Sequence, residues 1–294
     1  MKKVASLQYG VIFTKAFSQP DIFTGFVRDI LGIHIEIDRV ETEKSFDPPI
    51  GKIDTRFDLF AEDPKNRVVV DIQHVRFPDH YDRFLHYHCV ALLEQVSRSE
   101  LYTPPLRTFT IVVLTSGDKH KVDVATIDFD PKDRHGKSLN AIPHRVVYLC
   151  PKYVTAETPL PYREWLQAIN DSLDQEVEES SYQLPEIQRI FDLIEQDLVS
   201  PKERARMKDE YAMEMVKRDK YEEGRQEGWQ EGRQEGWNEG WNEGQAQGQA
   251  QGRDEEKRRL ASKMLNQGLE LKLIAELTNL TLVEIQQLDQ EALS

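Results

Sequence analysis

The stretch "RFDLFAEDPKNRVVVDIQHV", residues 56–75, holds two short β-like runs around one turn, and it sets Asp58 and Asp71 among apolar neighbours. A carboxylate inside such a run is costly unless something compensates its charge. The turn residues "EDPKN" place Pro64 where a type I turn accepts it, at the second position. With Pro64 and Lys65 at the centre, residues whose numbers add to 129 face each other, so Asp58 stands opposite Asp71. Their Cβ atoms are then roughly 4.5–5.5 Å apart. Like charges at that spacing destabilise a sheet, and a divalent cation between them reverses the sign. Mg²⁺ suits the pair, because it takes oxygen ligands and often only one or two protein carboxylates; Mn²⁺ is the alternative ion. Gln73 lies two residues beyond Asp71, on the same face, and adds an amide that can orient a water molecule.

Two other arrangements compete with this one. If Asn66 adopts a left-handed conformation in a three-residue loop, the pairing sum becomes 130 and the two acids separate to opposite faces. Alternatively, one or both acids lie exposed on an edge strand.

The elements that must hold these residues follow from periodicity. "VIFTKAFSQPDIFTGFVRDILG" has apolar residues at helical spacing, and Pro20 divides it into two helices. "IHIEIDRVE" (33–41) alternates in period two and predicts a strand. Residues 79–100 predict a helix with Asp79 as N-cap, ended by Pro104 and Pro105. "RTFTIVVLT" (107–115) predicts a buried strand, and "VDVATIDFD" and "HRVVYLC" predict two more. From about residue 160 the pattern is helical. The fold class expected is therefore α/β: a mixed central sheet flanked by helices, with a long helical C-terminal extension.

Taken together, "VIFTKAFSQPDIFTGFVRDILG", "RFDLFAEDPKNRVVVDIQ", "DRFLHYHCVALLEQV", the "EG" repeats and the ending "ASKMLNQGLELKLIAELTNLTLVEIQQL" give a pattern. It resembles the bacterial recombination-promoting nuclease and putative transposase family, within the PD-(D/E)XK nuclease superfamily. The resemblance spans most of the chain, with 115–200 the least distinctive part. It implies a restriction-endonuclease-like core and Mg²⁺-dependent cleavage of DNA. Carried over, Asp58 and Asp71 hold the metal and Gln73 stands where many relatives have Lys. Asp71 departs from the Glu common at its position, and Gln73 lacks a positive charge. The acid that family members often carry in the first helix has no counterpart in "QYG", leaving Glu36 and Glu41 as weak substitutes. Arg83 and Tyr87, four apart on one helix face, correspond to an Arg and a Tyr of the family motif, and would hold a substrate phosphate. On the plainer view, Arg83 pairs with Asp79 and Tyr87 packs in the core.

Organisation is read as a nuclease-like domain over 1–158, a helical extension over 159–220, a repeat segment over 221–252 and a small helical module over 253–294. The repeat has glycine at every fourth position from Gly224 to Gly252. Four residues turn a helix by about 400°, so the glycine row drifts about 40° per repeat. Either the glycines admit a second helix, with Trp229, Trp237 and Trp241 covering the seam and the chain forming a homo-oligomer, or the segment is a partly helical spacer. "IAELTNLTLVEIQQL" has helix-turn-helix shape, but its last helix offers Glu284, Gln286 and Gln287 and no cation, which favours a packing or partner-binding role over DNA reading.

Composition excludes several classes. The net charge is −14, nearly all of it after residue 150, so bulk charge does not coat nucleic acid. Two cysteines are too few for a disulfide framework or a Cys-rich zinc site. No apolar run reaches bilayer length, and "MKKVASLQYGVIF" lacks the apolar core of a secretory signal, so a cytoplasmic location is expected. His86 and His88, two apart on a helix, point apart and do not share a metal; His74 should face away from Gln73. There is no phosphate-binding glycine loop and no serine nucleophile elbow.

Overall fold

A computed structural model describes residues 1–46, 55–74, 80–96 and 103–292. The chain divides into two compact units, Met1–Arg218 and Asp219–Ser294. In the first, β1 (Lys2–Lys3) leads into α1 (Gly10–Phe17) and α2 (Pro20–Leu31), divided at Pro20 as the sequence predicts. Proline at the first helical position sacrifices no hydrogen bond, since that N–H is unpaired in any helix. Gly32, at φ 68°, closes α2 in the left-handed conformation that glycine adopts without strain.

Residues 33–40 do not form the expected strand. Their alternation reflects one-sided burial: Ile35 is in the core, with Ile33, Ile37 and Val40 packed against it. The hydrogen-bonding edge they would need is taken by β2 (Glu41–Phe46), which pairs antiparallel with β3 (Thr55–Glu62). The turn after β3 is built as the sequence predicts. Asp63 accepts the N–H groups of Lys65 and Asn66 on Oδ1, both at 2.7 Å. β4 (Asn66–Gln73) then pairs back with Leu59↔Val70, Phe60↔Val69, Ala61↔Val68 and Glu62↔Arg67, the register summing to 129. Asn66 is not among the residues with positive φ, so the alternative register has no basis here.

The helix predicted for 79–100 is α3 (His80–Val96). Its expected cap, Asp79, and the segment after Val96 lie outside the described residues. β5 (Arg107–Leu114), β6 (Val124–Asp128) and β7 (Arg145–Leu149) follow where the apolar runs place them. The six main strands form one mixed sheet in the order β2-β3-β4-β5-β7-β6. β4, β5 and β7 run parallel, and the other pairings are antiparallel. Beyond residue 160 come α4 (Tyr162–Ser172), β8 (Glu176–Val177), α5 (Pro185–Leu193), α6 (Pro201–Asn266), α7 (Leu271–Thr278) and α8 (Leu282–Ala292). The short β8 interrupts the expected helical run because it pairs with β1.

Helices cover both faces of the sheet. On one, Leu59, Val68, Val70 and Ile111 meet α1, α2, α4 and α5. Phe17 is fully buried there, stacked on Phe13 at 4.2 Å and edge-on to Phe26 at 5.1 Å. On the other, Val69, Val112 and Tyr148 pack under α3 through Phe84, Tyr87 and Val90. Two polar ties align α3 with β5: Gln95 Nε2 donates to Thr108 Oγ1 at 2.8 Å, and His88 Nδ1 lies 2.9 Å from Thr110 Oγ1. Burial pushes His88 down to about 3, with the charge of His144 adding to the effect, so this histidine is a neutral part of the packing.

The glycine repeat lies within α6 and is helical throughout. None of its eight glycines has a neighbour within 4 Å of where a Cβ would sit. Trp229, Trp237 and Trp241 are 64%, 67% and 61% exposed. Below the repeat, Ala261, Ile274, Leu280 and Ile285 make a small core between the end of α6, α7 and α8. Among the described residues no helix is long and apolar enough to cross a membrane.

Two outcomes follow from this packing. Phe17→Ala should lower unfolding free energy by about 3–5 kcal/mol in a denaturant titration, since it leaves a ring-sized cavity in the aromatic layer. Changing Gly228, Gly232 and Gly236 to Ala should add about 1 kcal/mol of helix propensity per site. Circular dichroism would read this as helical signal persisting to higher temperature; a loss of oligomer mass instead would show that the glycines admit a partner.

Candidate functional site

The register carries Asp58 opposite Asp71, but the backbone ladder stops one step short, at Leu59↔Val70. From there the two side chains replace the ladder. Asp58 N–H donates to Asp71 Oδ1 at 3.2 Å, and Ile72 N–H donates to Asp58 Oδ2 at 2.8 Å. Each carboxylate thus satisfies an amide of the opposite strand. The ladder on the other side of Asp58 is interrupted as well. Thr42↔Leu59 and Lys44↔Phe57 flank a gap at Glu43, whose φ is 55°. Phe57 and Phe60 both pack on the α3 side, so strict alternation breaks across Asp58. Such irregularities in a sheet re-aim one side chain at the expense of regular pairing.

Asp58 and Gln73 line an open cleft of about 640 Å³, together with Arg83 from α3, Gly10 and Val11 from α1, and Glu210 from α6. Asp71 sits behind Asp58 and is 4% exposed. Its Oδ2 receives no hydrogen bond from the described residues. Gln73 is buried on the same side of β4 as Asp71, at the carboxyl end of a parallel strand, and its carbonyl accepts Thr115 N–H at 3.1 Å. That end of a parallel sheet is where α/β folds commonly bind ligands.

Arg83 faces the cleft and spreads its guanidinium over the rings of Phe84 and Tyr87, at 5.4 and 5.3 Å. Tyr87 is buried, edge-on to Phe57, and its hydroxyl accepts from Arg83 Nη2 at 3.3 Å. Of the pair, Arg83 reaches the cleft and Tyr87 holds it from the core. The alternative partner of Arg83, Asp79, lies outside the described residues. His74 does not face away as alternation suggests. β4 ends at Gln73, so the pleat no longer sets its direction. It lines the same cleft, 2.7 Å from Thr115 Oγ1 and 3.6 Å from Glu214.

Electrostatics mark the pair as strained. Burial pushes Asp58 up to about 6, and the charge of Glu210 adds to the shift; the Ile72 N–H, Arg83 and Arg56 oppose it. Asp71 is held well above the usual carboxylate range, first by burial and then by the charge of Asp58, against the Asp58 N–H and Arg83. Glu210 is raised too, by burial, though it accepts N–H groups from Gly10 and Val11. Sequence reasoning missed Glu210: its proximity comes from the docking of a distant helix. Glu36 and Glu41 do not line the cleft, and Glu41 pairs with Lys44 at 2.9 Å. Among the described residues no three His, Cys, Asp or Glu side chains come together as a ready-made metal cage. A pair of carboxylates with an unfilled buried oxygen still has the donor chemistry for a hard dication whose remaining ligands are water.

No family model, curated protein or solved structure matches the chain.

The raised carboxylates fix a sign for pH dependence. A folded-state pKa above the unfolded value means that the native state holds the proton more tightly, so stability is full at low pH and falls as pH rises through about 6. Asp58→Asn should therefore gain stability relative to the parent, by on the order of 2 kcal/mol, between about pH 4 and pH 7 in chelator. Parallel urea titrations at several pH values would check it; a constant difference between the two proteins would contradict the assignment.

Proposed function

We propose that the Met1–Arg218 unit is a Mg²⁺-dependent nuclease with a restriction-endonuclease-like core that hydrolyses DNA phosphodiesters, of the recombination-promoting or transposase-associated kind. The single observation that carries the proposal is the Asp58–Asp71 pair. Two carboxylates are set against each other in a sheet, each fixed by an opposing amide, with one buried oxygen of Asp71 unfilled by the described residues. Such an arrangement is unfavourable without a cation and favourable with one. The resemblance of the flanking motifs to the recombination-promoting nucleases supports the same reading. Asp58 and Asp71 would hold the ion. When bound, it supplies polarisation of the scissile phosphate and a lowered pKa for the attacking water.

The protein's own groups do the rest. Gln73 orients the attacking water through its amide, contributing direction without charge. Arg83, held over Phe84 and Tyr87, pairs with a non-bridging phosphate oxygen. The attacking water gives up a proton to solvent as its oxygen bonds to phosphorus, the ester P–O bond breaks, and the leaving oxygen takes up a proton from solvent.

One observation favours a second reading, in which the fold binds a protein partner without cleavage. The α6 wall of the cleft carries Asp209, Glu210 and Glu214, which repel phosphate.

A plasmid-nicking assay separates the two. The parent should nick in Mg²⁺ or Mn²⁺ and not in chelator; Asp58→Ala and Asp71→Ala should each lose at least about 100-fold, and Gln73→Ala about 10- to 100-fold. Nicking that survives chelator, or is indifferent to Asp58→Ala, would rule out the metal-dependent reading.

A further inference from the structure

The first turns of α6 belong to the same compact unit as the sheet, and they are seated by polar contacts at three- and four-residue spacing. Glu203 meets Lys15 at 3.2 Å, Arg206 meets Glu43 at 2.8 Å, and Glu214 approaches His74 at 3.6 Å. Between them, Glu210 accepts Gly10 N–H at 2.8 Å and Val11 N–H at 3.1 Å, one on each oxygen. Both oxygens are therefore fixed at the start of α1, where the helix dipole favours a negative charge. The carboxylate is aimed, close enough to Asp58 for its charge to be felt there, and not free to swing inward.

The charge balance around the aspartates gives that position a consequence. Three guanidinium groups line the cleft: Arg56, Arg83 and Arg206. Glu43 pairs with two of them, lying 2.6 Å from Arg56 and 2.8 Å from Arg206, and its single charge offsets one. Arg83 remains beside the aspartates and opposes a cation. Two carboxylates against a dication and a nearby guanidinium leave the site short of negative charge, and Asp71 presents a buried oxygen that none of the described residues fills. Of the α6 acids that line the cleft, Asp209, Glu210 and Glu214, Glu210 is the one held by two α1 amides and felt at Asp58.

We propose that Glu210 is the third acidic group of the cation site, acting through its fixed field from outside the ion's ring of ligands. The inference rests on the reading of Asp58 and Asp71 as a divalent-cation site. It makes Glu210 a positioning residue, and it makes the docking of α6 a requirement for full cation affinity. A site legible as one hairpin in the sequence is then completed by a helix that follows the whole sheet.

The test is calorimetric titration of the full chain with MgCl₂ and MnCl₂, in the absence of DNA. Four variants are compared with the parent: Asp58→Ala, Glu210→Gln, Glu210→Asp and Glu203→Gln. Gln keeps an oxygen for one α1 amide, and thermal melts monitor folding. Glu210→Gln should weaken cation affinity about tenfold, as expected for removing one charge at short range in a partly buried site. Glu210→Asp, which keeps the charge, should recover to within about threefold of the parent, and Glu203→Gln, which loosens the same helix outside the cleft, to within about twofold. Parent-like affinity in Glu210→Gln would overturn the inference alone. So would an equal loss in Glu203→Gln, since α6 seating would then account for the effect. Absence of saturable binding by the parent, or its persistence in Asp58→Ala, would overturn the cation site itself and Glu210 with it.

Discussion

Two aspartates on adjacent strands, each accepting an amide of the other's strand, impose the constraint around which the first unit is arranged. In an ordinary ladder those amides would bond to backbone carbonyls, and the side chains would be free to carry apolar groups. Here the ladder gives way at Asp58 on both sides, toward β2 at Glu43 and toward β4 beyond Leu59. Removing either carboxylate would leave an amide of the opposite strand without its partner. Keeping both sets like charges together, and burial then drives both acids toward protonation. A cation would relieve both difficulties at once, and this supports the proposal that the pair is a site.

The rest of the unit holds this pair rigid. β4 is an interior strand, hydrogen-bonded along its length to β5. α3 is tied to β5 through Gln95 and His88, and it offers Arg83 from a helix whose neighbouring turns are anchored by Phe84 and Tyr87. α1 and α2 cover the opposite face through an aromatic layer that includes Trp165, whose indole N–H is fixed by Asp29 at 2.8 Å. The candidate side chains therefore project from packed elements, and the first turns of α6 add polar contacts to the cleft. Those contacts are sensitive to salt and to competing anions.

The second unit poses a different problem. A helix interior with glycine at every fourth position forgoes about 1 kcal/mol per site relative to alanine. Its small core, built on Ala261, Ile274, Leu280 and Ile285, lies C-terminal to the repeat and does not bury it. Trp237 and Trp241 stack on each other at 5.6 Å, and Arg233 lies 5.4 Å over Trp229. These local contacts offset part of the propensity deficit. The drift of the glycine row around the helix means that a straight partner could follow it for only a few repeats.

Much of the first unit was legible from residue types alone, because local chemistry decided it. Pro20 had to divide the first helices, "EDPKN" had to turn, and the apolar runs at 107–115 and 144–150 had to be strands in a covered sheet. The turn also fixed the register, which is why Asp58 and Asp71 could be set opposite each other by counting. What the chain order could not determine was competition between distant segments. Residues 33–40 have the alternation of a strand, yet β2 took the edge of β3. His74 follows an alternating strand but lies past its last paired residue, so its direction was set by Thr115 and Glu214 rather than by the pleat. The left-handed Glu43 and the arrival of Glu210 beside Asp58 have no local signature at all. Periodicity reports which face of a segment is buried; which segment wins a given edge, and which charges then meet, is settled only when the whole sheet and its covering helices are packed together.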